Sequence, residues 1–278
     1  MPETIINGAK IHYQDNGTGH PLILAHGLGG DLTMWLAQVP VLSQRYRVIT
    51  WDCRGHGLSE ITEDGYSLQN FVDDQYKLLR YLGVEKAHVG GLSMGGLIAW
   101  TFALAHPETV TALVLSDTAG VNIGVDQESR RQITDMFMTT ADIAEKRGRG
   151  GTMANQAIRL MFCDQFIRNN PEIIAMVKER ITNSSGVGFA RTVRGVFGTE
   201  VEIQETDITR LLATIKAPTL VLVGKEDLLT PVPTAEALSR AIPGARLHIF
   251  ENAGHVPNIE QAEEWNRVVM DFLDGVKV

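Results

Sequence analysis

The residues best suited to covalent chemistry are Gly91, Ser93 and Gly95, a Gly-x-Ser-x-Gly turn between two apolar runs, Ala87–Gly90 and Leu97–His106. A strand that reverses sharply into a helix strains its central residue, and the residues two places to either side must lack bulk for the chains to pass. A serine held there is presented as a nucleophile at a strand end. The backbone N–H of Met94, in the first turn of the expected helix, faces whatever Ser93 attacks, with the positive helix end behind it. Upstream, His26-Gly27-Leu28-Gly29-Gly30 follows a buried strand, Pro21–Ala25, and leaves a nest of N–H groups for an anion or a developing oxyanion. Phosphate is the rival occupant. No Lys-Ser or Lys-Thr follows these glycines and no Gly-x-Gly-x-x-Gly runs through them, so both nucleotide fingerprints fail.

Elements that would hold these groups are legible on either side. Thr4–Tyr13 reads as a hairpin turned by Asn7-Gly8, a dipeptide that accepts two left-handed positions. Leu32–Tyr46 reads as a helix interrupted by Pro40, and Arg47–Thr50 as a strand that empties into the polar loop Trp51–Ser59. Asp52 and Arg54 in that loop are expected to tie neighbouring loops by charge-assisted hydrogen bonds. Ser67 caps an expected helix, Leu68–Leu82, with Phe71, Leu78, Leu79 and Leu82 inward and Gly83 stopping it. Val110–Leu115 is a further strand, ending at Ser116-Asp117. Strand and helix alternate to this point, the pattern of a mainly parallel sheet covered on both faces.

The alternation stops at Thr118. From Val121 to Ala213 the pattern is helical, with a start at Asn170-Pro171 and breaks at Gly148–Gly151 and Ser184–Gly186, which suits a helical lid. Its Met and Phe positions can line an adaptable pocket or simply pack short helices together. Arginines of this region, Arg130, Arg159 and Arg194 among them, have no assigned place; a carboxylate-bearing substrate would want one inward. The sheet resumes at Thr219–Val223, followed by Gly224-Lys225-Glu226-Asp227. A helix ending at Ala241 starts at the prolines 231 and 233, Arg246–Phe250 is the last strand, and a helix from Glu260 to Leu273 closes the chain.

The chain has 278 residues, 44% of them hydrophobic, and a net charge of -8, which suits a globular protein with a sizeable core and no nucleic-acid partner. No apolar run is long enough to span a membrane and the N-terminus has no signal-peptide pattern, so a cytoplasmic protein is expected. Cys53 and Cys163 lie far apart with no Cys-x-x-Cys, and both read as small core residues rather than a disulfide or a zinc site.

Taken together these motifs resemble the α/β-hydrolase superfamily over the whole chain. That resemblance implies a mostly parallel eight-stranded sheet flanked by helices, with a core of residues 1–119 and 214–278 and a helical lid, residues 120–213, inserted after the sixth strand. It also implies a triad of Ser93 as nucleophile, His255 as base and Asp227 as its acid, with Leu28 and Met94 N–H groups as the oxyanion hole and no metal or cofactor. Asp117 also leaves a strand end and is the alternative acid. The histidines at positions 12, 20, 88, 106 and 248 read as structural and without a partner, and His26 and His56 as braces for their loops.

Within the superfamily, Asp52-x-Arg54-Gly55-His56-Gly57-x-Ser59 and Gly91–Gly96 resemble 3-oxoadipate enol-lactonases and related cofactor-free haloperoxidases and esterases. The His26-Gly27 pair departs from the enol-lactonase pattern and tilts the expectation to a general ester or lactone hydrolase. Gly27, Trp35, Met138, Phe162, Leu228 and Val256 are the expected pocket walls. Rival activities on the same residues are C–C bond hydrolysis of meta-cleavage products and peracid formation. A dehalogenase or epoxide hydrolase would want Asp in place of Ser93, and a small-ligand receptor would not need the intact triad. The expected partner is a small ester or lactone, with no membrane and with self-association left open.

Overall fold

The computed structural model describes residues 2–119, 127–198 and 205–277. Strand β1 (Glu3–Ile6) turns through Asn7 and Gly8, both at positive φ, into β2 (Ala9–Asn16). The parallel core follows with β3 (His20–Ala25), a 3-10 turn at Leu32–Trp35, α1 (Val39–Leu42) and β4 (Tyr46–Trp51). Next come α2 (Leu68–Tyr81), β5 (Ala87–Leu92), α3 (Met94–Ala105) and β6 (Val110–Ser116). Six helices then intervene: α4 (Gln127–Arg147), α5 (Thr152–Met161), α6 (Asp164–Asn169), α7 (Pro171–Asn183), α8 (Gly186–Phe197) and α9 (Glu205–Leu212). The chain returns to the sheet with β7 (Thr219–Gly224), α10 (Val232–Ala241) and β8 (Arg246–Phe250), and ends in α11 (Pro257–Glu260) and α12 (Ala262–Leu273).

The eight strands form one sheet in the order β1-β2-β4-β3-β5-β6-β7-β8, antiparallel at the β1-β2 and β2-β4 pairs and parallel across the rest. Strands β5, β6 and β7 are buried along nearly their whole length because helices cover both faces. On one face Phe71 and Leu78 of α2, Ile98 and Phe102 of α3 and Leu238 of α10 share a core. On the other, Leu42 of α1 and Trp265 and Phe272 of α12 share a second core. Ile158 of α5 and Ile181 of α7 extend this second core away from the sheet. Among the described residues no helix is long and apolar enough to cross a membrane.

Two expected helices differ from the structure. Leu32–Tyr46 is a 3-10 turn and a single helical turn, and Tyr46 already belongs to β4, because Pro40 sits in the first turn of α1 and leaves no continuous amide ladder before it. The closing helix, expected from Glu260, begins at Ala262, because Gln261 leaves the helical region at φ -132° and ψ 53° and sets it apart from the short α11. The caps follow expectation, with the Ser67 hydroxyl accepting from Asn70 N–H and Gly83 at φ +69° closing α2.

Candidate active site

Ser93 occupies the turn from β5 to α3 at φ +56° and ψ -115°, a conformation that a non-glycine residue holds only when its surroundings over-determine it. They do so here. Its N–H donates to Ser116 C=O at 2.9 Å. Its own carbonyl accepts from the Thr118 hydroxyl at 2.7 Å and from the Gly96 and Leu97 amides. A Cβ on Gly91 would collide with the Gly95 backbone, and one on Gly95 with the carbonyl of Ala25 on β3. The spacing of small residues is therefore a steric demand of α3 crossing two strands.

From the end of β7, Asp227 meets His255, which follows β8. Asp227 Oδ2 lies 2.8 Å from His255 Nδ1, and both side chains are buried. Asp227 Oδ1 also accepts from the amides of Leu229 and Thr230, and its Oδ2 from the Thr230 hydroxyl at 2.6 Å. Burial pushes the Asp227 carboxyl up, but His255 and the Thr230 hydrogen bonds outweigh it and hold the group below its ordinary value. A carboxylate there fixes the Nδ1–H tautomer and leaves Nε2 with its lone pair. Ser93 is partly buried, and its hydroxyl is hydrogen-bonded to no described residue, His255 included.

Asp117, at the end of β6, takes the Gly224 amide on Oδ1 at 2.8 Å and the Ser116 hydroxyl on Oδ2 at 2.7 Å. Burial, and then the neighbouring Asp227, raise its carboxyl far above the usual range. One ligand atom from each of Asp117, Asp227 and His255 lies within 4.8 Å of the others, the one such grouping among the described residues. Each of the three is already engaged in the hydrogen bonds just described.

Opposite Ser93 runs the loop His26–Gly30. A Cβ on Gly27 would lie 3.5 Å from the Ser93 Cβ, so the loop and the elbow face each other directly. His26 accepts the Cys53 amide on Nε2 at 3.0 Å and donates from Nδ1 to the Gly27 carbonyl at 2.8 Å, the bracing role expected of it. The same carbonyl accepts from Gly30 N–H at 3.0 Å. Neither the Leu28 nor the Met94 amide is hydrogen-bonded to a described residue.

The loop Trp51–Ser59 carries the expected charge-assisted ties. Asp52 accepts from His12 and from the Leu32 and Leu58 amides, while Arg54 forms a buried two-armed pair with Asp74 of α2. The structural histidines do have partners, contrary to expectation. His12 meets Asp52, His20 and His88 share the Thr111 hydroxyl, His106 stacks on Tyr76 at 3.9 Å, and His248 reaches Glu264. Those contacts join residues far apart in sequence, which no local pattern reveals.

The expected pocket walls divide. Gly27 faces Ser93, and the backbone at Phe162 lies against Gly254, beside His255. Trp35 is fully buried against Trp265, and Val256 is fully buried in the same core, which also takes the Phe162 side chain. Leu228 is 70% exposed, and Met138 packs with Phe189 and Val193 in a separate cluster of α4 and α8. Of the unassigned arginines, Arg159 is exposed, Arg194 pairs with Asp142 and Glu145, and the side chain of Arg130 lies outside the described residues.

Two residues passed over in the sequence stand close to this site. Arg149, in the glycine break between α4 and α5, is 5% exposed. It donates from Nη1 to the Gly29 carbonyl at 2.7 Å and to the Ser184 hydroxyl at 2.6 Å, and lies over the Phe189 ring. Burial alone brings its guanidinium down to about 10, with no carboxylate acting against it. Glu260 takes the Gly254 amide at 2.7 Å and the Cys163 amide at 2.9 Å, tying the His255 loop to the α5–α6 junction. The available signal for Arg149 was a lone cation inside a glycine run.

Residues 20–262 match the model of the alpha/beta hydrolase fold family. The chain is 27% identical to 3-oxoadipate enol-lactonase 1 of Acinetobacter baylyi over 272 residues, 97% of this chain and 95% of that one. It is 32% identical to 2-hydroxymuconate semialdehyde hydrolase of Pseudomonas sp. strain CF600 over 280 residues, 98% and 93% of the two chains. Among solved structures, the enol-lactonase from Burkholderia xenovorans LB400 matches with a TM-score of 0.87 at 29% identity, covering 98% of this chain and all of that one.

Proposed function

The chain belongs to the α/β-hydrolase fold family, and from that premise we propose that it is a serine hydrolase of carboxylic esters or lactones that works through an acyl-enzyme. Ser93 is the nucleophile, His255 the base, Asp227 the acid that orients it, and the Leu28 and Met94 amides the oxyanion donors. The observation that carries this reading is the strained serine at the β5–α3 turn, with the Asp227–His255 pair delivered from β7 and β8 to the same end of the sheet.

A serine hydroxyl stays protonated at neutral pH, so attack requires a base to take its proton. His255 Nε2 does this as Ser93 Oγ bonds to the acyl carbon, and the serine–imidazole hydrogen bond tightens when substrate arrives. The tetrahedral oxyanion is held by two amides with no other acceptor among the described residues, a donor pair of which each member is worth about 3 kcal/mol in comparable sites. Collapse expels the alcohol with the proton from His255; water then enters by the reverse path and frees the acid and Ser93. Helices α4–α9, with residues 120–213, form the lid in this reading.

Ser93→Ala should keep the circular-dichroism spectrum and melting temperature while kcat on p-nitrophenyl acetate falls by about 10⁴-fold or more. Wild-type turnover in that variant would end the proposal. The 32% identity to a semialdehyde hydrolase favours one second reading, C–C bond hydrolysis. Comparing kcat/KM on short p-nitrophenyl esters, lactones and dienone acids separates the two.

A further inference from the structure

The oxyanion loop is wired to a buried cation. Arg149 Nη1–H donates to the carbonyl of Gly29 at 2.7 Å. The other end of that peptide, Gly30 N–H, donates to the carbonyl of Gly27 at 3.0 Å. The other end of the Gly27 peptide is the Leu28 N–H. Two peptide groups thus stand head to tail between a guanidinium and an expected oxyanion donor, and His26 Nδ1–H adds a second donor to the Gly27 carbonyl at 2.8 Å.

Drawing electron density from a peptide oxygen strengthens the N–H of the same peptide, and in a chain of such bonds each link polarises the next. A neutral donor at the head of the chain would do this weakly; a cation does it more strongly. Arg149 has no carboxylate partner among the described residues: its acceptors are Gly29 and Ser184, and its Nε–H is buried without one. Leaving a buried guanidinium unneutralised is costly for folding, and a surface lysine would anchor the lid with less penalty. What the arrangement retains is an uncancelled positive charge beside the loop on which negative charge develops. Gly29 belongs to the same device, since a Cβ at this residue of φ +69° would collide with the guanidinium.

We propose that Arg149 is a positioning residue for the oxyanion hole, orienting and polarising the Leu28 N–H through the Gly29 and Gly27 peptides, so that the lid completes the hole when seated. The inference rests on the serine hydrolase reading above.

The test compares wild type, Arg149→Met and Arg149→Gln on p-nitrophenyl acetate, together with inhibition by phenylboronic acid, which forms a tetrahedral anionic adduct on an active serine. Removing the cation should lower kcat by about tenfold, a fraction of the loss of a whole oxyanion donor, with KM nearly unchanged. The boronic acid Ki should rise by the same factor as kcat/KM falls. A lid anchor alone would move KM or melting temperature and leave boronate affinity where it was, which would overturn the proposal. Arg149→Gln keeps an amide donor for Gly29 and serves where the Met variant does not fold; full wild-type kcat and Ki in it would equally overturn the role of charge. Should the wild type neither turn over esters nor bind the boronic acid, the hydrolase reading itself fails, an outcome distinct from either variant result.

Discussion

Asp117 and Asp227 end neighbouring strands, yet their surroundings treat them in opposite ways. Asp227 has a histidine and three hydrogen-bond donors from Leu229 and Thr230, and is held ionised. Asp117 has no cation beside it among the described residues, is fully buried, and faces the charge of Asp227, so its proton is held tightly. This separation supports Asp227 as the acid. Because the folded state raises the Asp117 carboxyl above its unfolded value, that group favours folding at acid pH, and the contribution is lost as pH rises from the unfolded toward the folded value. Asp117→Asn should therefore raise the melting temperature relative to wild type at pH 8 but hardly at pH 4, with activity retained, while Asp227→Asn loses most of kcat. Thermal melts at the two pH values and kcat of both variants test this; a collapse of activity in Asp117→Asn alone would reverse the assignment.

At the level of elements, the β5-turn-α3 unit does the placing. Helix α3 starts immediately after Ser93 and packs so closely against β3 that Gly95 touches the Ala25 carbonyl, which in turn brings the His26–Gly30 loop over the serine. Gly95→Ala pushes helix and strand apart by forcing a methyl against backbone, which cannot rotate away. Overpacking of this kind costs about 1–3 kcal/mol, and here the displacement falls on both halves of the proposed oxyanion hole. Denaturant unfolding should show that loss, with a kcat decrease larger than the stability change alone implies. A variant of wild-type activity would mean that the turn tolerates a wider crossing than the structure has.

Across the whole molecule, helices between β6 and β7 meet the proposed catalytic loops at two places, while Ile208 and Leu212 of α9 pack into the core beside α3 and α10. On one side Arg149 reaches Gly29; on the other, the His255 amide donates to the Met161 carbonyl at 2.7 Å and Glu260 holds the Gly254 and Cys163 amides together. Burial raises the Glu260 carboxyl, so this bridge stands on its hydrogen bonds rather than on a neighbouring cation. Glu260→Gln keeps one acceptor oxygen and turns a donor toward the other amide, leaving that N–H unsatisfied at a cost of about 1–3 kcal/mol. A lower melting temperature accompanied by a lower kcat is the expected result; unchanged kcat would uncouple the bridge from His255.

Much of this is legible in the amino-acid sequence. The Gly91–Gly95 spacing, the glycine loop, the strand-helix alternation and the Ser67 cap are local: each rests on backbone sterics or on periodicity within a dozen residues, and all reappear in the fold. The buried cation at Arg149, the partners of the histidines and the sorting of Trp35 and Val256 into the core are decided when separate elements of the chain pack together, across 120 residues for Arg149 and Gly29 and 91 for His20 and Thr111. Sequence by itself determined which residue types stand at the strand ends and that a serine would be strained there. Only the tertiary structure decided which acid keeps its charge and which arginine loses its water, because both depend on burial and on neighbours that folding alone supplies.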